Sequence, residues 1–250
     1  MASPDHALRS SLVLQLARRR TWLLGAAAGG AGWALQAGAL SFASVALVQP
    51  ALGLGLVVQL VLGSRLLGET VGRREVAGVL VLVAGVGLLG WAAPQHADSF
   101  TTGGRVAVAV AWPLVVAAPR ALRLLTRHGG LAASVGAGLG WGWIGLGTAL
   151  VDRSIADGHW PVAAAWAAAV GIASWSTLVS EMSALRIWPA TRSWPVTFAI
   201  EMIVPAGCTP ALSHSGVGPA GGLPFALALV VASTGAVVLG SSRAVAVGPS

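Results

Sequence analysis

WPVAAAWAAAVGIASWSTLVSEMSAL, residues 160–185, holds a single charged side chain, Glu181. About 20 apolar residues in a helix cross a hydrocarbon layer of ~30 Å. Lipid offers no partner to backbone N–H and C=O groups, so a crossing segment of this kind is a helix. Arg186 and Arg192 follow directly. Working outward, seven more apolar stretches can be drawn. The full series is A (Trp22–Ala43), B (Ser44–Leu67), C (Val76–Ala93), D (Val106–Leu125), E (Gly129–Val151), F (Trp160–Leu185), G (Ala190–Leu212) and H (Gly221–Gly240).

The basic residues then fix an orientation. Arg9, Arg18, Arg19 and Arg20 precede A. Arg65, at the end of B, and Arg73 and Arg74 mark the B–C connection; Arg120 and Arg123, at the end of D, and Arg127 mark the D–E connection. Arg186 and Arg192 lie between F and G, and Arg243 follows H. All of these fall on one side of an eight-span chain; the other side holds only Arg105 and Arg153. Short Arg-rich loops stay cytoplasmic. The expectation is an all-α integral membrane protein of the cell (inner) membrane, multi-pass, with both termini in the cytoplasm.

Composition agrees. The chain is 56% hydrophobic and 9% charged, against roughly 25% charged in a soluble domain, and its mean hydropathy is +0.80. The net charge of +7 resides in short loops as a topology signal, so nucleic acid is not an expected partner. Lys, Asn and Tyr are absent while Ala, Gly, Val, Leu and Arg abound, the bias of a GC-rich, bacterial coding sequence. One cysteine, Cys208, excludes an intrachain disulfide and a cysteine metal cluster. The histidines lie in loops or at span edges, and no paired acids or nucleophile–base set marks an enzyme. No cofactor and no metal are expected. Residues 1–20 do not read as a signal peptide, because the Arg cluster follows the apolar run Leu12–Ala17 instead of preceding it.

Leu35–Pro50 (LQAGALSFASVALVQP) and Ser180–Pro195 (SEMSALRIWPATRSWP) align at a shift of 145, with Ala39 on Ala184, Leu40 on Leu185, Pro50 on Pro195 and Gln36 on Glu181. In each, a helix and a short connection with an early Pro lead into a second helix, then a polar loop and a third. A–B–C thus corresponds to F–G–H. F is the fifth helix after A, so the two units run in opposite directions, as in the inverted repeats of secondary transporters. Residues 21–93 form the first repeat, with three helices, and residues 104–240 the second, with five. Residues 1–20 are expected to be a cytoplasmic segment, with Leu12–Ala17 either an amphipathic surface stretch or the tail of a preceding helix, and residues 241–250 a cytoplasmic tail. A symmetric molecule would need two further spans ahead of A.

Pro50–Gly85 (PALGLGLVVQLVLGSRLLGETVGRREVAGVLVLVAG) resembles the end of an EamA-type repeat of the drug/metabolite transporter superfamily. The resemblance rests on Pro50, Gly68-Glu69, Gly78 and Gly85. Phe42-Ala43 and Leu47-Val48-x-Pro50 also resemble the NIPA-like branch, associated with magnesium transport; that branch's acidic residue and Asn appear here as Trp33 and Gln36. In the second half Pro195 is kept, but His214 stands where Glu69 stands in the first. The resemblance implies a ten-helix bundle of two inverted repeats that moves small metabolites or ions. This chain is shortened at its N-terminus relative to that pattern.

Glu201 is the sharpest candidate. Eleven residues from Ala190 place it about 16 Å deep, near the bilayer centre, where a carboxylate faces a cavity or a partner. Either it binds a cationic group or couples a proton, or it is a hydrogen-bonded structural acid. Pro205 lies one turn on, and unwound backbone beside the acid would build a site. Glu181 falls near the cytoplasmic edge, where Arg186 and Arg192 are candidate gate or ion-pair partners. Arg65 and Glu69 have the spacing of a helix-surface pair. Gln36 and Gln49 flank the A–B turn as an outer gate or as interhelical hydrogen-bond formers. Pro50 and Pro195 permit bending. Trp22, Trp91, Trp160 and Trp188 read as an interfacial belt. Trp33, Trp141, Trp143 and Trp175 lie deep, and Trp33 and Trp175 are favoured to line a cavity for a cationic or aromatic solute. In span E, Gly136/Gly140 and Gly138/Gly142, and in span A, Gly25/Gly29, permit close helix approach.

The resulting expectation is a secondary-active carrier of a small metabolite or an amphipathic or cationic organic solute, working by alternating access, with proton coupling as an option. The alternatives are a NIPA-like magnesium carrier and, of another class, a non-transporting membrane subunit or degenerate paralogue. The expected partners are the lipid bilayer, the small-molecule substrate, and either a second copy of the chain or another chain supplying helices.

Overall fold

The computed structural model describes residues 20–240, apart from 56, 59–60, 62–64, 66–70, 95, 97, 126–128 and 188–189. Eight helices occur among the described residues: α1 (Arg20–Leu40), α2 (Val45–Leu52), α3 (Arg73–Ala92), α4 (Thr102–Leu125), α5 (Gly129–Ala156), α6 (Trp160–Ile187), α7 (Ala190–Leu212) and α8 (Gly222–Gly240). They follow spans A to H in order. The only β pairing among the described residues is an isolated bridge between Phe100 and Ser213. Four helices, α3 to α6, are long and apolar enough to cross a membrane; α7 and α8 hold shorter apolar stretches. Leu24, Leu35, Leu80, Leu114, Trp91, Trp160 and Leu223 point outward and are largely exposed. An apolar surface of this extent is what lipid covers and water does not tolerate. The architecture is that of an all-α membrane protein.

Span B is broken near its start: α2 ends at Leu52, and Gly55, Val57, Val58, Val61 and Arg65 are helical again. The regular helix stops at Leu52, and Gly53 and Leu54 donate to the carbonyls of Pro50 and Ala51 in tighter i→i+3 turns. Pro50 sits inside α2 and has no N–H to continue the ladder. Most of the segment up to Leu67 lies outside the described residues. Other helix ends follow ordinary stop signals. Gly158, at φ 74°, lets the chain leave α5 in the left-handed conformation that glycine adopts freely, and Pro161 stands in the first turn of α6, where its missing N–H costs nothing.

α5 is the axis of the bundle. It packs against α6, α7, α4, α2 and α1, and its glycines are distributed among these neighbours. A β-carbon on Gly136 would meet Pro119 of α4, on Gly138 Thr197 and Ile200 of α7, and on Gly140 Thr177 of α6. On Gly142 it would meet Pro205 of α7, and on Gly145 Gln49 of α2. The close approach expected of span E is therefore present. That expected of span A is not, because a β-carbon on Gly25 or Gly29 would meet nothing. α1 runs along the edge of the bundle, touching only α5 and α2 appreciably.

Indole N–H groups tie these helices together. Trp143 donates to the Val108 carbonyl at 2.9 Å and Trp112 to the Ala169 carbonyl at 3.0 Å, as buried indoles usually find partners. Trp143 also packs against Trp166, with ring centroids 6.4 Å apart, so it fills the core. A second tight pair is α3 with α8, where Gly85 faces the Ala232 backbone and Gly235 the Leu82 backbone. At the α1–α2 end, Asp98 accepts from the Val45 N–H at 2.7 Å and Ser44 donates to the Pro94 carbonyl at 2.7 Å. His214 N–H bonds the Ser99 carbonyl at 2.9 Å. Three connections, α1–α2, α3–α4 and α7–α8, are thereby knitted into one layer.

Candidate functional site

A cavity of about 340 Å³ opens beside α5, lined by Gly29, Gly32, Trp33 and Gln36 of α1, Leu52 of α2, Trp141 of α5, Glu181 of α6, and Thr197, Phe198 and Glu201 of α7. Three helix edges meet here because α5 offers Gly138 and Gly142 to α7 and Gly140 to α6. α2 comes close enough that a β-carbon on Gly53 would collide with the Met202 side chain, one residue after Glu201. The acid is held at depth by the same small-residue packing that makes α5 the axis.

Glu181 and Glu201 come from neighbouring helices and interact electrostatically. Glu181 accepts a hydrogen bond from Trp141 Nε1 at 3.1 Å. Among the described residues neither acid has a basic partner. Glu181 is a wall of the Glu201 cavity. Arg186 is exposed and lies five residues on, about 140° round the helix from Glu181. The Arg192 side chain lies outside the described residues, as do Glu69 and the Pro195 side chain. Arg65 is exposed in a helical position.

On α5, two turns beyond Trp141, Thr148 accepts from Trp33 Nε1 at 3.1 Å, which ties α1 to α5 at the edge of the cavity. Gln36 reaches the cavity, whereas Gln49 does not. The Gln49 side chain is 1% exposed, faces Gly145, and has no hydrogen-bond partner for either amide atom. The two glutamines therefore do not form one gate. Trp175 is also elsewhere. It lines a separate groove between α4 and α6 with Val116, Pro119, Arg120, Ile172, Ser176 and Val179. Helix α6 turns that face toward α4 and Glu181 toward α5. Pro205 is buried against Gly142, and α7 runs on through it as one helix. The interruption expected beside Glu201 falls instead after Pro50, in α2. Pro50 itself is buried.

Trp141 was legible in the sequence only as one of four deep tryptophans; the acid it serves becomes visible once α5 and α6 are docked. Asp98 and Asp152 carried no sequence signal beyond being acids near span ends. Together they border a second, smaller cavity of about 50 Å³ with Leu40, Ser41, Ala149, Arg153 and Ala156. Burial pushes the Asp98 carboxyl above its usual range, partly offset by the Val45 N–H and the hydroxyls of Ser213 and Ser215. Among the described residues no group of three or more His, Cys, Asp or Glu is placed to hold a metal ion. Comparison with protein-family models, with curated proteins and with solved structures found no match.

Proposed function

We propose that this chain is a secondary-active carrier of a small cationic or amphipathic organic solute, exchanging it for protons across the bacterial inner membrane. The observation that carries the reading is the convergence of Glu181, Glu201, Trp33 and Trp141 on one cavity. Two like charges in a poorly screened space are relieved by a bound cation or by a proton. A site of this kind takes one or the other and so couples them. The indole faces of Trp33 and Trp141 add attraction for an organic cation, and Leu52 and Phe198 accept its apolar part. A cavity of about 340 Å³ lies in the size range of small-molecule sites.

Eight spans with cytoplasmic termini and an inverted repeat complete the proposal. α2 packs on α7, and α3 on α8, contacts that a two-fold relation between A–B–C and F–G–H allows. The likeness of Pro50–Gly85 to EamA-type repeats points the same way. A divalent cation such as magnesium is the second reading, favoured by the paired carboxylates alone. The apolar and aromatic remainder of the wall favours the organic cation.

Reconstitution into proteoliposomes enclosing a pH-sensitive dye tests the proposal. A panel of organic cations added outside should drive proton movement, and Glu201→Gln should abolish it. Magnesium-driven movement without any response to organic cations would favour the second reading. Solute flux that is the same with and without Glu201 would end the carrier mechanism drawn here.

A further inference from the structure

Buried polar atoms without a partner are rare in folded proteins and ask for an explanation. Here they cluster. Among the described residues they are Gln49 Nε2 and Oε1, Asp98 Oδ1, Asp152 Oδ2 and, apart from these, Ser233 Oγ. Three of the four side chains lie along one side of α5. Trp141, Gly145, Thr148 and Asp152 are spaced by four, three and four residues, which places them on a common helix face. Along that face come Glu181 on Trp141, the Gln49 amide on Gly145, Trp33 on Thr148, and finally the small cavity that Asp152 shares with Asp98.

Asp98 is only 5% exposed. One of its oxygens is used, holding the N-terminus of α2 through Val45. Its other oxygen, Oδ1, is buried without a hydrogen-bond partner, while the Ser213 and Ser215 hydroxyls bond the carboxylate elsewhere. Asp152 borders the same cavity and also has a buried oxygen, Oδ2, without a partner. Arg153, which also borders the cavity, has its Nε 3.4 Å from Asp157, so its charge is partly engaged elsewhere. Ser41 spends its proton on the Gly38 carbonyl at 2.7 Å, leaving oxygen lone pairs for a further ligand.

We propose that the cavity between Asp98 and Asp152 is a second, outer cation site, which takes a hard monovalent cation of the sodium class. Oxygen atoms are the donors such an ion requires. A space of about 50 Å³ holds the ion with one or two waters, given about 30 Å³ per water. Magnesium keeps several waters and calcium takes six to eight oxygens, so both ions enter the test as competitors. The site is distinct from the Glu181–Glu201 cavity. Its occupancy does not depend on the carrier reading; only its place as the outer station of a route along α5 rests on that reading.

The test uses the purified full chain in detergent, with sodium chloride replacing choline chloride at constant ionic strength. A ligand that binds the folded state alone raises the unfolding midpoint in a saturable way. The wild type should show such a rise. Asp152→Asn should weaken the apparent sodium affinity by about tenfold or more, and Glu201→Gln should leave the sodium response in place. Asp98→Asn should act as Asp152→Asn does; because it also disturbs the start of α2, direct binding of radioactive sodium to both variants provides the second readout. Equal midpoints in sodium and choline would overturn the site. So would loss of the sodium response in Glu201→Gln with Asp152→Asn unaffected, and so would stabilisation by magnesium or calcium but not sodium. A sodium response in a chain that moves no solute would leave this site standing and remove the carrier function.

Discussion

The hydrogen bond from Trp141 to Glu181 orients an acid that has no basic partner among the described residues. A hydrogen bond to a charged group contributes about 1.5–3 kcal/mol. Trp141→Phe keeps the ring and removes the donor. The expected result is a weaker apparent affinity for the organic cation, by roughly tenfold or more, with the fold intact by circular dichroism. Unchanged affinity would make Trp141 a space-filler. Asp98 offers a separate measurement. Burial raises its carboxyl in the folded state, so between the unfolded value of about 4 and the raised folded value the native state keeps a proton that the unfolded state loses. Its contribution to stability is therefore full below about pH 4 and declines as pH rises through the folded value. Asp98→Asn should flatten that decline in detergent unfolding scans taken upward from about pH 4. A slope unchanged by the substitution would place the titration elsewhere. At this scale the sequence was half legible. A lone Glu at mid-span announces itself by cost, as Glu201 did, whereas Asp98 and Asp152, 54 residues apart, acquire meaning only through docking.

Helices were the most legible level, because lipid-facing and buried faces are both apolar and spans therefore read as plain runs. The described ends of α6 and α7 lie within two residues of the expected spans. Which face of a helix meets which neighbour was not legible, for the same reason: a run that is apolar all round has no stripe to show its orientation. Glu181 illustrates this. Counting residues placed it near the cytoplasmic edge, whereas its direction, toward α5 and the cavity it shares with Glu201, required the packed bundle. Glycine spacing carries the same ambiguity. Gly85 of α3 presses on the Ala232 backbone, whereas Gly25 of α1, in an equally regular small-residue pattern, meets nothing. Gly85→Val should destabilise the protein by about 1–3 kcal/mol or more through overpacking. Gly25→Ala should be neutral or stabilising by up to about 1 kcal/mol, since it removes only backbone freedom. Thermal unfolding in detergent separates the two; equal effects would mean that α1 has a neighbour at Gly25.

For the molecule as a whole, alternating access requires that the α1–α2 and α6–α7 connections cap opposite faces of the bilayer. The packing of α2 on α7 and α3 on α8 is compatible with that arrangement, and the eight-span expectation puts Arg153 and Arg105 opposite the other arginines. The two faces also differ in construction. Around the α1–α2 turn three connections are bonded into one layer through Asp98, Ser44 and His214. At the other end Ser134 of α5, Ser180 of α6, and Ser193 and Thr197 of α7 link the helices directly, with Ser134 and Ser193 hydroxyls 2.9 Å apart. A carrier that rocks must break one set while the other holds. Labelling in intact cells tests the geometry on which this depends. With Cys208 replaced by Ser, single cysteines are introduced at Phe42, 81% exposed in the α1–α2 turn, and at Ile187, 43% exposed at the end of α6. A membrane-impermeant maleimide should modify Phe42→Cys in whole cells and Ile187→Cys only after the membrane is opened. Modification of both from the same side would remove the opposed orientation of the two units, and a rocking mechanism could not be built on this chain.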